Sequence, residues 1–195
     1  MPLNKPEPMK IIEPFRQKIA YGKLGFDYMK LRDFAVAVKG LYPSRQKSNQ
    51  GGYQTPDLPE SDLTDDFFKM ILEQAEIYAE EYCFKGKLKK DNHWVNFNKR
   101  THTNMIHTHP NSLISGVYYI KTPTNCGAIK FFRNDDLLNY HFEDSYKEIS
   151  TLTNNDFYIQ PELDMFILFP SNMKHCVETN HSAFDRISLS FNLKI

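Results

Sequence analysis

Two histidines separated by a single residue are the strongest chemical signal in this sequence. His107 and His109 lie in the segment NMIHTH, which is predicted to be a strand. Residues two apart in an extended strand point to the same side, so both imidazoles could hold one metal ion. Taken alone, such a pair is more often exposed or hydrogen-bonded, because motifs this short occur frequently by chance. A metal site therefore needs a third ligand from another segment.

His175 is the best candidate for that ligand. It follows the apolar segment DMFILFP and the turn-like SNMK, which would place it at the mouth of that strand's barrel. Three protein ligands on one face leave open positions for substrate or oxygen, which is the arrangement of non-haem iron sites. The sequence therefore predicts a metal held by three histidines.

A second chemical feature opens the last predicted strand. In RISLSFNLKI polar residues alternate with apolar ones, and the polar positions are Arg186, Ser188, Ser190 and Asn192. If this face lines a cavity, the guanidinium of Arg186 needs an anionic partner, and Asp185 points the other way. A ligand carboxylate would pair with it bidentately, with the Ser188 hydroxyl beside it. The alternative is an arginine on the outer surface near acidic side chains.

The elements that must position these residues are mainly strands. From residue 93 onward, short strands separated by Pro, Gly and Asn are predicted over HWVNFNK, NMIHTH, SGVYYIKT, AIKFFR, DFYIQ, DMFILFP and RISLSFNLKI. Regular short strands with such punctuation are typical of an all-β barrel or sandwich.

The first half of the chain is predicted to contain two helices and a long loop. Apolar spacing predicts an amphipathic helix over residues 26–42 and a second helix that begins near Thr64, with Thr64 as its cap. The segment between them, residues 44–62, is rich in Gly, Pro and Ser. We expect this loop to pack over the barrel mouth and shape a pocket, because loops this long are often functional. The alternative is a disordered surface connection.

Composition and the N-terminal sequence argue against several classes of function, although a local charged patch stays possible. The 195 residues include 24 basic and 24 acidic side chains, which gives no support to nucleic-acid or anionic-membrane binding through bulk charge. No apolar run reaches membrane-spanning length, and the N-terminus has no apolar signal core. The three cysteines are odd in number and widely spaced, which favours a reducing cytosol. We therefore expect a cytoplasmic protein.

Several ordered blocks together resemble the iron(II)- and 2-oxoglutarate-dependent oxygenases. These blocks are HTH, SGVYYIKTP, GAIKFF, FILFPSNMKH and RISLSFN, and the upstream SNQGGYQTPDL is also similar. Within the superfamily they resemble a family with HxHP, SGVYY, FPS…H and RIS blocks. The resemblance implies a mainly β fold with flanking helices (α+β). Its core would be a double-stranded β-helix, or cupin-like jelly roll, with N-terminal helices packed on one sheet. We expect a single oxygenase domain over 1–195, with a helical and loop part over 1–92 and a jelly-roll core over 93–195.

The resemblance also implies roles for individual residues in binding iron(II) and 2-oxoglutarate. His107 matches the first ligand of the superfamily's HxD/E…H triad and His175 the distal ligand. The far carboxylate of 2-oxoglutarate would be bound by the residues Arg186, Ser188 and Tyr119, and Asn96 would reach the cosubstrate from the first barrel strand.

His109 is the one departure from this pattern, since it stands where the superfamily has an acid. Three possibilities remain open. His109 could be a ligand, as in three-histidine dioxygenases. It could also swing away in favour of water, or a distant acid could supply the third ligand.

The activity implied by the resemblance is hydroxylation of an unknown small-molecule or protein substrate. The reaction would use O₂ and release succinate and CO₂. Two other hypotheses remain: a three-histidine cupin-like metalloenzyme that does not use 2-oxoglutarate, and a non-catalytic jelly-roll binding module. Jelly rolls of this kind often form homodimers, which is an analogy of fold only.

Other prominent residues need no role in this scheme. Trp94 and Tyr118 are predicted to belong to an aromatic core. The remaining histidines are predicted to lie on turns or the surface, namely His93, His102, His141 and His181.

Overall fold

A computed structural model describes residues 17–133, 147, 150 and 154–195. The described elements, in chain order, are β1 (Ala20–Lys23), α1 (Tyr28–Leu41), β2 (Asn49–Gln50), β3 (Tyr53–Gln54), α2 (Asp62–Glu80), β4 (Lys89–Asn98), β5 (Thr103–His107), β6 (Ile114–Lys121), β7 (Ile129–Phe132), β8 (Asp156–Ile159), β9 (Met165–Pro170), β10 (His175–Val177) and β11 (Arg186–Lys194). His141 lies outside the described residues.

The strands form two antiparallel sheets. The six-stranded sheet has the order β1-β9-β6-β11-β4-β3, and the five-stranded sheet has the order β2-β5-β10-β7-β8. Neighbouring strands are often distant in the chain, as expected for a double-stranded β-helix. The prediction of a mainly β fold of this type is confirmed.

Both helices pack on the six-stranded sheet. Leu31 of α1 and Phe67 and Ile71 of α2 join one apolar cluster with Tyr118 of β6 and Phe191 of β11. Each of these side chains is fully buried. The expected placement of the helices on one sheet is confirmed, and it leaves the other face of that sheet free to line an interior cavity.

The second helix begins slightly earlier than predicted. Its N-cap is Ser61, whose hydroxyl accepts a hydrogen bond from the Thr64 N–H at 3.3 Å. The Thr64 hydroxyl in turn accepts from the Ser61 N–H at 2.9 Å. The prediction of Thr64 as the cap was wrong, because Thr64 is the third helical residue and completes a reciprocal capping box.

The segment over residues 44–62 is ordered against the sheets. Its strand β2 pairs with β5, and β3 pairs with β4, so the segment connects the edges of the two sheets. Gly51 sits between them with φ +71°, and a Cβ there would lie 2.7 Å from the His102 ring. The alternative of a disordered connection was wrong, because both sheets supply backbone partners.

Two further details differ from the sequence predictions. His175 does not merely follow a strand, because it begins a strand of its own, β10. His93 is not on the surface: it is 3% exposed and packs edge-on against Phe68, with ring centroids 4.7 Å apart. Alternation along β4 buries His93 beneath α2. His181 is exposed, as predicted.

In the described part of the chain, neither helix combines the length and apolar character that a membrane crossing requires.

Candidate metal centre and adjoining cavity

Three histidines meet where β5 and β10 pair. His107, the last residue of β5, lies directly opposite His175, the first residue of β10. His109 follows two residues later, and its ring centroid lies 5.0 Å from that of His107 and 5.1 Å from that of His175. One nitrogen from each ring lies within 4.8 Å of the others. Within the described residues, no carboxylate joins this cluster.

Two of the rings are oriented by nearby backbone. The Nδ1 of His107 lies 2.7 Å from the Met105 carbonyl, and the Nδ1 of His175 lies 2.9 Å from the Met173 carbonyl. A carbonyl can only accept a hydrogen bond, so Nδ1 carries the proton in both rings. The Nε2 atom of each ring therefore keeps its lone pair for a metal.

The third ring is oriented by a side chain. The Nδ1 of His109 lies 2.7 Å from the Oδ1 of Asn192, and its Nε2 is buried without a hydrogen-bond partner. All three imidazoles thus have an anchored Nδ1 and an available Nε2. This donor set fits a divalent metal ion, since a metal-bound histidine normally donates its other ring N–H to an acceptor.

Burial keeps these imidazoles uncharged. Burial, together with the neighbouring His107, lowers the pKa of His109 to about 4 and that of His175 to about 3. The pKa of His107 is also lowered by burial. Neutral imidazole is the form that binds a metal, so the cluster is ready to bind one near neutral pH.

Aromatic side chains wall the cluster. Trp94 stacks on His109 with ring centroids 5.7 Å apart and an interplanar angle of 22°. Phe169 packs edge-on against His175 at 4.7 Å. The prediction that Trp94 belongs to the core was wrong, because it is half-buried and lines the cavity beside the histidines. Tyr118, in contrast, is fully buried in the core, as predicted.

A narrow inner cavity extends from the histidines to Arg186 and Tyr119. Arg186 is 1% exposed, and its Nη1 donates to the main-chain carbonyls of Cys126 and Glu178. Its Nη2 is buried without a partner, and so is the hydroxyl of Tyr119. Burial raises the pKa of Tyr119 above its usual range, so the phenol stays protonated and can donate. A guanidinium with a free Nη2 and a protonated hydroxyl without a partner are together suited to a carboxylate.

The remaining predicted residues line the same cavity. Ser188 of β11 lies opposite Asn96 of β4 in the sheet register. Asn96 donates to the Ser190 hydroxyl at 3.1 Å, and its Oδ1 is buried without a partner. The structure thus brings together every site residue predicted from the sequence, namely Asn96, His107, His109, Tyr119, His175, Arg186 and Ser188.

A wider groove of about 580 Å³ borders the histidines on the outer side. Trp94, His107 and His109 line both the inner cavity and this groove. The segment over residues 44–62 forms one wall of it, through Arg45, Lys47, Ser48, Gln54, Thr55 and Asp57. This placement agrees with the expectation that the segment shapes a pocket.

Sequence reasoning missed the polar side chains that support His109. Asn192 was visible on the polar face of the last strand, but its partners Ser115 and Asn92 lie in β6 and β4. Only the strand order β6-β11-β4 brings them together.

Comparisons with known proteins agree with this geometry. A family model described as "Putative 2OG-Fe(II) oxygenase" matches residues 92–192, just over half of the chain. No curated protein matches the sequence.

Solved structures share the fold at low sequence identity. A viral collagen prolyl hydroxylase from Paramecium Bursaria Chlorella virus-1, in complex with 2OG, is 15% identical, with a TM-score of 0.58 over 90% of this chain and 94% of that one. A prolyl-4-hydroxylase from Pseudomonas putida is 14% identical, with a TM-score of 0.59 over 90% and 92%. HygX from Streptomyces hygroscopicus, with nickel and 2-oxoglutarate bound, is 10% identical, with a TM-score of 0.61 over 91% and 82%.

Proposed function

The chain belongs to the 2OG-Fe(II) oxygenase family whose model matches residues 92–192, and on this basis we propose which of its residues bind the metal and the cosubstrate. The protein is an oxygenase that uses iron(II) and 2-oxoglutarate. We infer that it hydroxylates its substrate, and that His107, His109 and His175 hold the metal. Their three free Nε2 atoms support this assignment.

The opposite end of the inner cavity would hold the far carboxylate of 2-oxoglutarate. Arg186 supplies a fixed cation, because three backbone carbonyls hold its Nη1 and leave Nη2 to face a ligand. Tyr119 adds a protonated hydroxyl from the neighbouring strand β6. The observation that carries the proposal is that these two unpaired donors share a cavity with the three histidines.

Ser188 and Asn96 complete the lining of this cavity. Both are buried and lie side by side on β11 and β4. We assign the Ser188 hydroxyl to the same carboxylate as Arg186. The unpaired Oδ1 of Asn96 can accept a hydrogen bond but cannot donate one, so it suits a water or a protonated group better than a carboxylate oxygen.

When bound, iron(II) and 2-oxoglutarate supply the oxidising chemistry, in which O₂ converts the keto acid to succinate and CO₂ while a substrate is oxidised. The protein positions the reactants and limits access of water. Trp94 and Phe169 wall the histidines, and the outer groove gives a substrate access to them. The groove has room for a small molecule or for a segment of a protein.

Anaerobic titration tests this proposal directly. Metal-free protein receives iron(II) and then 2-oxoglutarate, while the visible spectrum is recorded for the weak metal-to-ligand charge-transfer band of the chelate. We expect stoichiometric iron binding and then a band that saturates with 2-oxoglutarate. Iron binding without the band would favour a three-histidine metalloenzyme that does not use 2-oxoglutarate. No iron binding would favour a binding module.

A further inference from the structure

His109 is anchored differently from the other two histidines. The Nδ1 atoms of His107 and His175 are held by carbonyls two residues earlier in their own segments. The Nδ1 of His109 is held by the carboxamide of Asn192, which is 83 positions away in sequence and lies on β11. Asn192 is 5% exposed. The orientation of the third ring therefore depends on the tertiary structure.

The carboxamide of Asn192 faces His109 through its oxygen. Its Oδ1 also accepts from the Ser115 hydroxyl at 2.7 Å, and its Nδ2 donates to the Oδ1 of Asn92 at 2.6 Å. Reversal of the amide would place the oxygens of Asn192 and Asn92 against each other unless Asn92 reversed as well, and it would deprive the Ser115 hydroxyl of its acceptor. The atom that faces His109 is therefore an acceptor, and His109 Nδ1 must be the donor.

The same group of side chains also holds the backbone of His109. The Ser115 hydroxyl lies 2.8 Å from the Ser171 hydroxyl, and the Ser171 carbonyl accepts the His109 N–H at 2.8 Å. Ring and backbone of His109 are thus tied to one buried polar network. If the ring swung away, the Asn192 oxygen would lose a donor in a buried place, which is costly.

We propose that Asn192 is a positioning residue that fixes the tautomer and direction of His109, so that its Nε2 is a metal ligand where the superfamily has an acid. This inference rests on the proposed function, since it assumes a metal at the three histidines. It gives a physical basis for His109 as the third ligand, in preference to a ring that swings away. Asn92 acts one step further out, by fixing the amide of Asn192.

Two substitutions of Asn192 distinguish the effect of its hydrogen-bond acceptor on iron(II) affinity from the effect of its volume. Asn192→Leu keeps the size and removes the acceptor, and we expect iron(II) affinity to fall by about 10- to 100-fold, the usual effect of losing such a partner. Asn192→Asp keeps one oxygen as an acceptor for both His109 and Ser115. The Asn92 amide can turn so that it donates to the other carboxylate oxygen. We expect the iron(II) affinity of this variant to equal or exceed that of the unaltered protein.

Two further variants control for packing. Tyr118→Phe removes a partly buried hydrogen bond to Asp164 on the side of β6 away from the histidines, and we expect it to leave iron(II) affinity unchanged. Asn92→Ala removes a partly exposed side chain, so it tests the network without a hole in the core. We expect it to weaken iron(II) binding by several-fold.

The tautomer of His109 provides a readout that needs no metal. Long-range nitrogen–proton correlation spectra of the metal-free protein report which ring nitrogen carries the proton. We expect the Nδ1–H form in the unaltered protein and in Asn192→Asp, and a mixture in Asn192→Leu and Asn92→Ala. An unchanged tautomer and unchanged iron(II) affinity in both of the latter variants would overturn this inference alone. Failure of the unaltered protein to bind iron(II) would instead overturn the proposed function.

Discussion

The exchange of an acid for His109 changes the charge of the centre. A carboxylate ligand would offset one of the two positive charges of iron(II), whereas three neutral imidazoles offset none. The anionic ends of 2-oxoglutarate would then supply the balancing charge. The Asn192 oxygen accepts from the imidazole and is itself held by the Ser115 hydroxyl, so the surroundings of this position match a histidine better than a carboxylate.

This match gives a prediction for His109→Asp. The carboxylate would face the Oδ1 of Asn192, and two acceptors would repel each other in a buried place. We therefore expect His109→Asp to bind iron(II) more weakly than the unaltered protein and to show no gain in 2-oxoglutarate turnover. Isothermal titration with iron(II) under anaerobic conditions, and succinate release in air, would measure both. A gain of turnover would show that the histidine weakens a site otherwise suited to an acid.

A second prediction concerns the Tyr119 hydroxyl. Tyr119→Phe removes one unpaired donor without disturbing the carbonyls that Arg186 holds. A hydrogen bond to a charged group contributes about 1.5–3 kcal/mol, so we expect 2-oxoglutarate affinity to fall by about 10- to 100-fold while iron content is unchanged. Titration of the iron-loaded protein with 2-oxoglutarate would show the change.

The adjacent residue offers a matched control. Tyr118 points to the other side of β6, where its hydroxyl donates to Asp164 at 2.7 Å, and we expect Tyr118→Phe to leave 2-oxoglutarate affinity unaltered. Arg186→Ala should reduce that affinity further than Tyr119→Phe does. Equal loss of iron and 2-oxoglutarate in Arg186→Ala would mean that the arginine is structural.

At the scale of elements, strand register explains why the site residues meet. The antiparallel pairing of β5 with β10 sets His107 opposite His175, and the period of two along β11 places Arg186, Ser188 and Ser190 on the cavity side. The alternation on β11 was visible in the sequence, and so was the pair HTH. The pairing of β5 with β10 was not, because β10 is only three residues long and carries no pattern of its own.

Close packing of β6 against β11 gives a prediction about stability. A Cβ at Gly116 would lie 2.2 Å from the Phe191 ring and 3.0 Å from the Ile167 carbonyl. We expect Gly116→Ala to lower the free energy of unfolding by about 1–3 kcal/mol, as overpacking of a core does. Urea denaturation would measure the loss.

A second substitution tests the cause of that loss. Phe191→Leu removes the ring that the new methyl group would meet, so the double variant should be more stable than the sum of the two single effects. Relief should be partial, because the Ile167 carbonyl stays in place. Strict additivity would mean that the ring is not what opposes a side chain at Gly116.

At the scale of the molecule, sequence and structure agree on the type of fold, but the sequence did not predict the short strands at the edges of the sheets. The spacing of apolar residues was sufficient to predict both helices. Alternation of polar and apolar residues between turn residues was sufficient to predict most strands of the two sheets. The short strands β1, β2 and β3 have two to four residues each, too few for a period to be recognised. The segment over 44–62 therefore looked like a loop, although backbone pairing with β4 and β5 holds it beside the groove.

Burial of His93 also depends on the whole fold, and it predicts how stability responds to pH. Both ring nitrogens of His93 are buried without hydrogen-bond partners between α2 and the six-stranded sheet. Burial, with a smaller effect of Lys90, lowers its pKa in the folded protein below the ordinary value of 6.5. Below about pH 6.5 the unfolded chain therefore binds a proton that the folded chain does not. The free energy of unfolding should fall as the pH is lowered through this range.

Replacement of His93 isolates its share of this pH dependence. His107, His109 and His175 also have lowered pKa values, so metal-free proteins must be compared as pairs. We expect His93→Leu to be as stable as the unaltered protein at pH 8, or more stable by about 1 kcal/mol, because no buried nitrogen is left unpaired. Between pH 7 and pH 5 it should lose less stability than the unaltered protein, by up to about 1.4 kcal/mol per pH unit.

Phe68→Leu disturbs the same contact without removing a titratable group, so it should lower stability equally at both ends of the range. If urea denaturation gave parallel pH profiles for His93→Leu and the unaltered protein, the histidine would be protonated as easily in the folded chain as in the unfolded one, and its burial would have no part in the acid sensitivity of the fold.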